Sequence, residues 1–155
     1  MKVFATMALV VVAVAALSGC SKDDESARIE KMLTTIQTAA EEKNTKAILE
    51  HLSKTYRDPQ GLDYEGVRGL LAGYFFRYPK ISVYLNALAI SVEEDSAQAR
   101  FQAVLTSAEK TGSIRDAIPD SLGVWNFDVS LRKETGTWKI LSARWEEADL
   151  LTPPE

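Results

Sequence analysis

The spacing of apolar residues changes along this chain at Pro79, and this change constrains the fold more than any other feature. Before Pro79, apolar residues recur at intervals of three and four, as in Ile29, Met32 and Leu33, which is the period of an amphipathic helix. After Pro79 they partly alternate, which is typical of half-buried strands. Helices followed by a run of strands favour an α+β fold, in which N-terminal helices pack on one face of a curved antiparallel sheet.

Three helices are predicted before Pro79. The helical period begins at Ser26, and breaks in it predict a second helix after Asn44 and a third after Asp63. Asn and Asp are suited to these positions because their side chains cap helix N-termini. The sequence DPQG, Asp58–Gly61, predicts a turn between the second and third helices through its proline and glycine.

The third helix is expected to stop at Tyr78, because proline disfavours the helical conformation of the residue before it. Three glycines, Gly66, Gly69 and Gly73, lie inside this helix. They follow no strand in the pattern of a phosphate-binding loop. Their presence instead suggests that the helix packs closely against the sheet.

Four strands are predicted after Pro79. They are residues 81–93, 97–110, 124–134 and 137–148. Thr135 and Gly136 predict a tight hairpin between the last two strands. The loop Thr111–Gly123 is long for a hairpin and carries Ile114 and Ile118, so we expect it to cover a cavity mouth or a partner.

The N-terminal segment, residues 1–19, has the order of a secretory signal peptide. Lys2 precedes the apolar run Val3–Leu17, which is too short for a comfortable bilayer span of about 20 residues. An uncleaved transmembrane anchor is the alternative. Small residues then lead to Cys20, and Leu17–Cys20, with sequence LSGC, resembles a bacterial lipobox. The resemblance implies cleavage before Cys20 and attachment of acyl chains, such as palmitate, to this residue.

Lipidation of Cys20 has consequences for the rest of the chain. Cys20 is the only cysteine, so the domain must fold in an oxidising compartment without disulfides. Residues 20–26 form a short tether that reaches at most about 20 Å, residues 27–148 form the domain, and residues 149–155 form a tail. In Gram-negative lipoproteins an Asp after the acylated cysteine favours the inner membrane. Ser21 stands there, which by resemblance predicts an outer-membrane protein facing the periplasm.

The composition argues against several classes of function. Eighteen Lys and Arg against 22 Asp and Glu give a net charge of −4, and no basic stripe is visible, so nucleic acid is not an expected partner. One histidine and one acylated cysteine leave no ligand cluster for a metal, and we expect neither metal nor cofactor. No nucleophile elbow of the Gly-x-Ser-x-Gly type is present.

Two segments together resemble a known superfamily. They are YEGVRGLLAGYFFRYPKISVYL, residues 64–85, and FDVSLRKETGTWKILSARWEEA, residues 127–148, with its Gly136-x-Trp138-Lys139-Ile140 stretch. Both are similar to segments of the nuclear-transport-factor-2-like (NTF2-like) superfamily, which also holds ketosteroid isomerases and polyketide cyclases. The likeness covers about residues 28–147 and is greater to bacterial lipoproteins of this superfamily than to its enzymes. It implies a cone-shaped barrel with a cavity between sheet and helices.

Such a cavity raises the question of an active site. Ketosteroid isomerases use an Asp general base opposite a Tyr and a protonated Asp. Of the candidate groups, Asp128 alternates out of phase with its apolar neighbours and should face away from the cavity, while Asp58 and Asp63 have simpler roles in a turn and a cap. His51 has no apparent partner. The remaining polar groups for an isomerase or dehydratase are Tyr56 and Tyr74, and no residue is assigned as catalytic.

Aromatic residues are the other candidates for a functional surface. The candidate cavity lining is Tyr56, Tyr74, Phe101, Trp125, Phe127 and Trp138. The alternative, that the same side chains fill the cone as core without a pocket, is favoured, because aromatic stripes on a buried sheet face are usually core. Tyr84 and Trp145 are placed on the opposite sheet face, where they would form an interface for a homodimer or an envelope protein.

From the sequence we therefore expect an envelope lipoprotein, held in the membrane by the lipid on Cys20. Its domain is expected to be a non-enzymatic module that binds a small apolar ligand or a protein. One alternative is a small-molecule isomerase or dehydratase that uses the cone cavity. Another is a subunit that serves only the assembly of an envelope complex.

Overall fold

The computed structural model describes residues 21–110, 112 and 121–149. Within them it has the predicted α+β architecture, with three helices before a four-stranded sheet. The helices are α1 (Lys22–Glu41), α2 (Thr45–Leu49) and α3 (Tyr64–Arg77), and the strands are β1 (Ser82–Glu93), β2 (Ser96–Thr106), β3 (Ser121–Glu134) and β4 (Thr137–Glu147). None of the described helices has the length and apolar character needed to cross a bilayer. The predicted signal peptide, the lipid site at Cys20 and most of the loop 111–123 lie outside the described residues, as do residues 150–155.

Helix α1 begins earlier than the apolar period indicates, at Lys22 instead of Ser26. A capping box sets this start. The Ser21 hydroxyl accepts a hydrogen bond from the Asp24 amide at 3.2 Å, and the Asp24 carboxylate accepts one from the Ser21 amide at 3.3 Å. The segment expected to be a tether is therefore helical from Lys22. Apolar spacing could not predict this turn, because it is built from charged residues.

The other two helix starts and the end of α3 agree with the sequence prediction. Asn44 accepts a hydrogen bond from the Ala47 amide at 3.1 Å, and Asp63 accepts one from the Gly66 amide at 2.8 Å. Tyr78 is extended, with φ −113° and ψ 105°, as expected of the residue before a proline. These boundaries depend on chemistry between neighbours in sequence, which explains why they could be predicted.

The expectation that the glycines of α3 pack closely against the sheet is wrong. A Cβ atom built on Gly69 or Gly73 would meet nothing within 4 Å, and none of the residues in α3 is fully buried. Two large apolar side chains of the same helix are exposed, Leu70 at 48% and Phe76 at 93%. The glycines therefore lie on a side of α3 that the described chain leaves uncovered.

The four strands form an antiparallel meander in the order β1-β2-β3-β4. Thr135 and Gly136 join β3 to β4 with φ values of 48° and 79°, which confirms the predicted two-residue hairpin. The face that carries Ala99, Val129 and Leu131 is directed toward the helices and is called the inner face; the other is called the outer face.

Both edges of the sheet have hydrogen-bond partners outside it. Along β4, the Ile140 amide donates to His51 and the Ile140 carbonyl accepts from Ser53, each at 2.8 Å. Along β1, Gln37 donates to the Val83 carbonyl at 2.6 Å, and the Glu41 carboxylate accepts from the Val83 amide at 2.9 Å. The segment after α2 thus pairs with the edge strand β4, and side chains of α1 pair with the edge strand β1.

The core lies between α1, α2 and the inner face. Its largest fully buried apolar side chains include Ile29 and Val129. One carboxylate is buried with them: Glu25, in the first turn of α1, accepts a hydrogen bond from the Trp138 indole at 2.6 Å and pairs with the Lys133 ammonium at 3.0 Å. Burying a carboxylate is unfavourable unless it is paired, and here both oxygens have partners.

Candidate functional site

Three aromatic side chains stand side by side across β2, β3 and β4 on the inner face. Phe101 stacks on Phe127 with ring centroids 5.2 Å apart, and Phe127 meets Trp145 at 6.2 Å. We call Phe101, Phe127 and Trp145 the aromatic row. Its burial decreases across the sheet, because Phe101 is fully buried whereas Phe127 and Trp145 are only half-buried. The row therefore begins in the core and ends at an accessible surface.

The prediction that Trp145 lies on the outer face is wrong. Strict alternation from Trp138 and Ile140 would place it there, but the pairing of β3 with β4 shifts by one residue between Ser130 and Leu131. The extra residue is a β-bulge in β4, and it reverses which side chains face inward. Beyond the bulge Trp145 pairs with Phe127, which places the indole on the inner face.

Trp125 extends the same surface two residues from Phe127 on β3 and is also half-buried. Its indole lies over Gly123: a Cβ atom there would be 2.6 Å from the Trp125 Nε1 atom. Gly123 has φ +151°, which side chains with a Cβ rarely adopt. Gly123 was not predicted as a site residue, although a glycine inside a strand often marks a close approach of another group.

The other predicted lining residues have different positions. Trp138 and Tyr56 are fully buried, and Trp138 uses its indole N–H on Glu25. With Phe101, they belong to the core. Tyr84 is on the outer face, as predicted, but it is buried with Val104 in a small cluster and offers no exposed patch.

Tyr56 and Asp58 form a hydrogen-bonded pair beside β4. The Tyr56 hydroxyl donates to Asp58 at 2.9 Å, and Asp58 also accepts from the Leu62 amide at 2.9 Å. Burial, followed by the interaction with Asp58, raises the pKa of Tyr56 above its usual range. The hydroxyl therefore remains a proton donor, and its partner is already in the turn that Asp58 was predicted to form.

Tyr74 remains the more accessible tyrosine. It is half-buried, and its ring centroid lies 4.7 Å from that of Tyr78. Burial is the main reason why the pKa of Tyr74 is raised, and the neighbouring Tyr78 adds to it. Among the described residues its hydroxyl has no hydrogen-bond partner, so it could donate to a bound molecule.

The remaining titratable candidates lie on the outer face, beside the edge of β4 and at a helix N-terminus. Asp128 is on the outer face, as predicted, where it pairs with Arg100 at 3.5 Å. His51 lies beside the edge of β4, where burial and then Lys139 lower its pKa, so it is neutral near pH 7. Asp63 is a helix cap. None of the described residues forms a cluster of metal ligands.

Ionisable residues are sparse on the inner face of the sheet. Among the described strand residues, register places two of them there, Lys133 and Glu147. Lys133 pairs with the buried Glu25, and Glu147 is exposed opposite Trp125 at the end of β4. The strand residues that surround the aromatic row on this face are therefore apolar, apart from Glu147 at the end of β4.

Two clefts of the described chain are separate from this surface. One, of about 490 Å³, is lined by residues 54–57 and 63–65 and has Lys54 3.8 Å above the Tyr64 ring. The other, of about 420 Å³, is lined by polar and charged residues such as Gln98, Ser130 and Arg132, together with Ala97, Leu131 and Leu141. Both are open and are lined by charged side chains of both signs.

The four-stranded antiparallel sheet and the helices packed against it define an NTF2-like fold, and comparison with solved structures agrees. An NTF2-like protein of unknown function from Pseudomonas putida KT2440 matches with a TM-score of 0.67 at 17% identity, over 88% of this chain and 95% of that one. A candidate scytalone dehydratase from Novosphingobium aromaticivorans DSM 12444 has a TM-score of 0.67 at 15% identity, over 81% and 85%.

A third match is Bd1075 of Bdellovibrio bacteriovorus, with a TM-score of 0.66 at 13% identity. It covers 85% of this chain, which spans only 44% of that protein. No protein-family model matches the sequence, and no curated protein matches it significantly. At these identities the likeness concerns the fold alone, and it confirms the fold that the sequence resemblance implies.

Proposed function

We propose that this protein is a lipid-anchored module of the bacterial envelope that binds an apolar ligand at the aromatic row without transforming it. The observation that carries the proposal is the surface around Phe127 and Trp145, where half-buried aromatic rings lie on a face with few ionisable groups. The lipid anchor is supported by the lipobox-like sequence that ends at Cys20.

Leaving aromatic rings exposed to water is unfavourable. Removing apolar surface from water gains about 25 cal/mol per Å², and a Trp or Phe side chain has a large apolar area. Phe127 and Trp145 are covered by the protein only in part, so a ligand that stacks on them would gain this free energy. Glu147, at the rim, is placed to favour a ligand with a polar or basic group at one end.

Acid–base catalysis would need a positioned proton donor or acceptor in addition to this apolar surface. A general acid or base must lie within hydrogen-bond reach of the reacting atom, usually with a partner that tunes its pKa. Of the predicted acids and bases, Asp128 and His51 lie away from the row, and Tyr56 already donates to Asp58. Binding without chemistry is therefore the function that this geometry supports best.

The test is native mass spectrometry of the chain from Ser21, expressed in a bacterium without Cys20. Starting at Ser21 keeps the residue that caps α1. We expect an adduct of a few hundred daltons that is lost on gentle activation. Trp145→Ala should remove the adduct, whereas Phe76→Ala, which removes an exposed aromatic ring from α3, should retain it. An adduct that persists in Trp145→Ala, or none in the unaltered chain, would contradict the proposal.

A second candidate is an enzyme of the dehydratase or isomerase type. The specific observation in its favour is Tyr74, a half-buried tyrosine whose hydroxyl has no partner among the described residues. One of the fold neighbours is a candidate dehydratase. If a substrate is found, Tyr74→Phe should lower kcat while leaving affinity unchanged, because it removes only the donor. Unchanged turnover in this variant would exclude Tyr74 as the catalytic donor.

The third candidate is an assembly subunit, and it rests on the uncovered side of α3. Leu70 and Phe76 are exposed there beside Gly69 and Gly73. Apolar residues on an exposed helix face are suited to a protein contact. Cross-linking in the envelope through position 76 would identify such a contact.

A further inference from the structure

The start of α1 is fixed directly to the sheet. Ser21 caps the helix, and Glu25, one turn later, is buried against the Trp138 indole and the Lys133 ammonium at 2.6 and 3.0 Å. A buried charge pair of this kind resists separation, because removing either partner would leave an uncompensated charge. The residue that follows Cys20 is thus already part of the folded domain.

The same contacts identify the end of the sheet to which the start of α1 is attached. Trp138 and Lys133 flank the turn between β3 and β4, at Thr135 and Gly136. The Lys133 amide donates to the Asp95 carbonyl at 2.8 Å, which places the turn between β1 and β2 beside it. We call the start of α1 and these two turns, residues 21–25, 94–95 and 135–136, the hairpin end.

We propose that the hairpin end lies against the membrane and that the lipid on Cys20 holds the domain in this one orientation. The inference rests on the lipid anchor proposed above. Because Ser21 is structured, almost no flexible chain remains between the acylated residue and the domain. One residue spans less than about 4 Å, which is too little for the domain to turn over on its anchor.

The orientation determines where the aromatic row would lie. Trp125 is nine residues before Glu134 on β3, and at about 3.3 Å per residue it is about 30 Å from the hairpin end. The surface around Trp125 and Trp145 would then be directed away from the bilayer. A ligand or partner would reach it from the aqueous compartment and not from the lipid.

The exposed charges of the hairpin end argue against its insertion into the bilayer. Its exposed residues include Lys22, Asp23, Glu94 and Asp95, all charged. The large apolar side chains that are exposed in the described chain, Leu70 and Phe76, are both on α3. The acyl chains would thus supply the membrane affinity, and the hairpin end would set only the orientation.

The experiment uses the full lipidated chain in phosphatidylcholine vesicles that carry a nitroxide quencher on the headgroup. Acylation of Cys20, the only cysteine, leaves one introduced cysteine free for a fluorescent label. Asp95→Cys labels the hairpin end, and Ser107→Cys labels the exposed residue after the far end of β2. We expect the label at position 95 to be quenched several-fold more than the label at position 107.

A matched control inserts a flexible Ser/Gly linker between Cys20 and Ser21, which retains both the lipid and the cap. It should reduce the difference between the two labels. Equal quenching without the linker, or stronger quenching at position 107, would overturn the orientation. The intact mass and vesicle flotation are measured first. A chain without acyl mass that does not float overturns both the anchor and the orientation, whereas an acylated chain with equal quenching overturns the orientation alone.

Discussion

Trp138 and Trp145 lie on the same strand and face the same side of the sheet, yet their surroundings differ. Trp138 is 5% exposed, packs in the core and donates its indole N–H to Glu25. Trp145 is half-buried, and its ring meets that of Phe127 at the accessible end of the aromatic row. Trp138 and its partner Glu25 lie in a region that stabilises the fold, whereas Trp145 lies in a region that remains accessible. This difference predicts that mutations in the two regions will have different consequences.

The largest expected effect is the loss of Trp138. Trp138→Ala should lower the free energy of unfolding by about 3–5 kcal/mol, because it leaves a cavity and removes a hydrogen bond from Glu25. Trp145→Ala, the matched change beyond the bulge, should cost only about 1 kcal/mol, since less of its surface is buried. Urea denaturation measures both. Equal losses would mean that the two ends of β4 do not differ as described.

An intermediate effect is expected at Gly123. Gly123→Ala should destabilise the protein by about 1–3 kcal/mol, because φ is +151° and the new methyl group would lie 2.6 Å from the Trp125 Nε1 atom. The variant should also change the near-ultraviolet circular dichroism of tryptophan as the indole moves. An unchanged spectrum with unchanged stability would show that Trp125 is free to leave Gly123, and so is not held in place by it.

A smaller effect, of opposite sign, is expected on α3. Gly69→Ala and Gly73→Ala should each raise the free energy of unfolding by about 0.5–1 kcal/mol, because a Cβ atom there meets nothing and alanine favours the helix. Gly66→Ala is a comparison within the same helix, and its gain should be lower because the Cβ would lie 3.1 Å from Leu62. Loss of stability in the Gly69 and Gly73 variants would show that this side of α3 is covered in solution.

The smallest expected effect is on the pH dependence of the free energy of unfolding. Burial and Lys139 lower the pKa of His51 in the folded protein below its ordinary value of 6.5, whereas the unfolded chain retains that value. The unfolded chain therefore binds more protons between the two values, so stability should be retained above pH 6.5 and decrease as the pH falls from there towards the lowered pKa. His51→Gln should remove this part of the dependence. An identical pH profile in the variant would exclude His51 as its source.

Much of the fold was predictable, because it depends on periodicity and on local chemistry. The α+β order, the caps at Asn44 and Asp63 and the hairpin at Thr135 and Gly136 all involve residues close in sequence. The start of α1 was not predictable, because its capping box precedes the first residues that show the apolar period. The uncovered glycines of α3 depend on tertiary packing, to which apolar spacing gives no access.

The candidate site could be predicted only in part. Alternation placed Phe127 and Trp125 together on one face, and their partner Phe101 with them. It failed for Trp145 because a single inserted residue in β4 reverses the alternation, and nothing in the sequence of that strand marks the bulge. The link between Glu25 and Trp138 joins residues far apart in the chain, so only the folded structure could reveal it.

The hydrogen bonds along the two sheet edges have a consequence for self-association. A lipid anchor would confine many copies to a two-dimensional layer, where unpaired strand edges could join one another into extended sheets. Here Ile140 on β4 pairs with the segment at residues 51–53, and Val83 on β1 is occupied by Gln37 and Glu41. Neighbouring copies would therefore meet closed edges at these positions, and crowding on the membrane would not by itself lead to strand addition there.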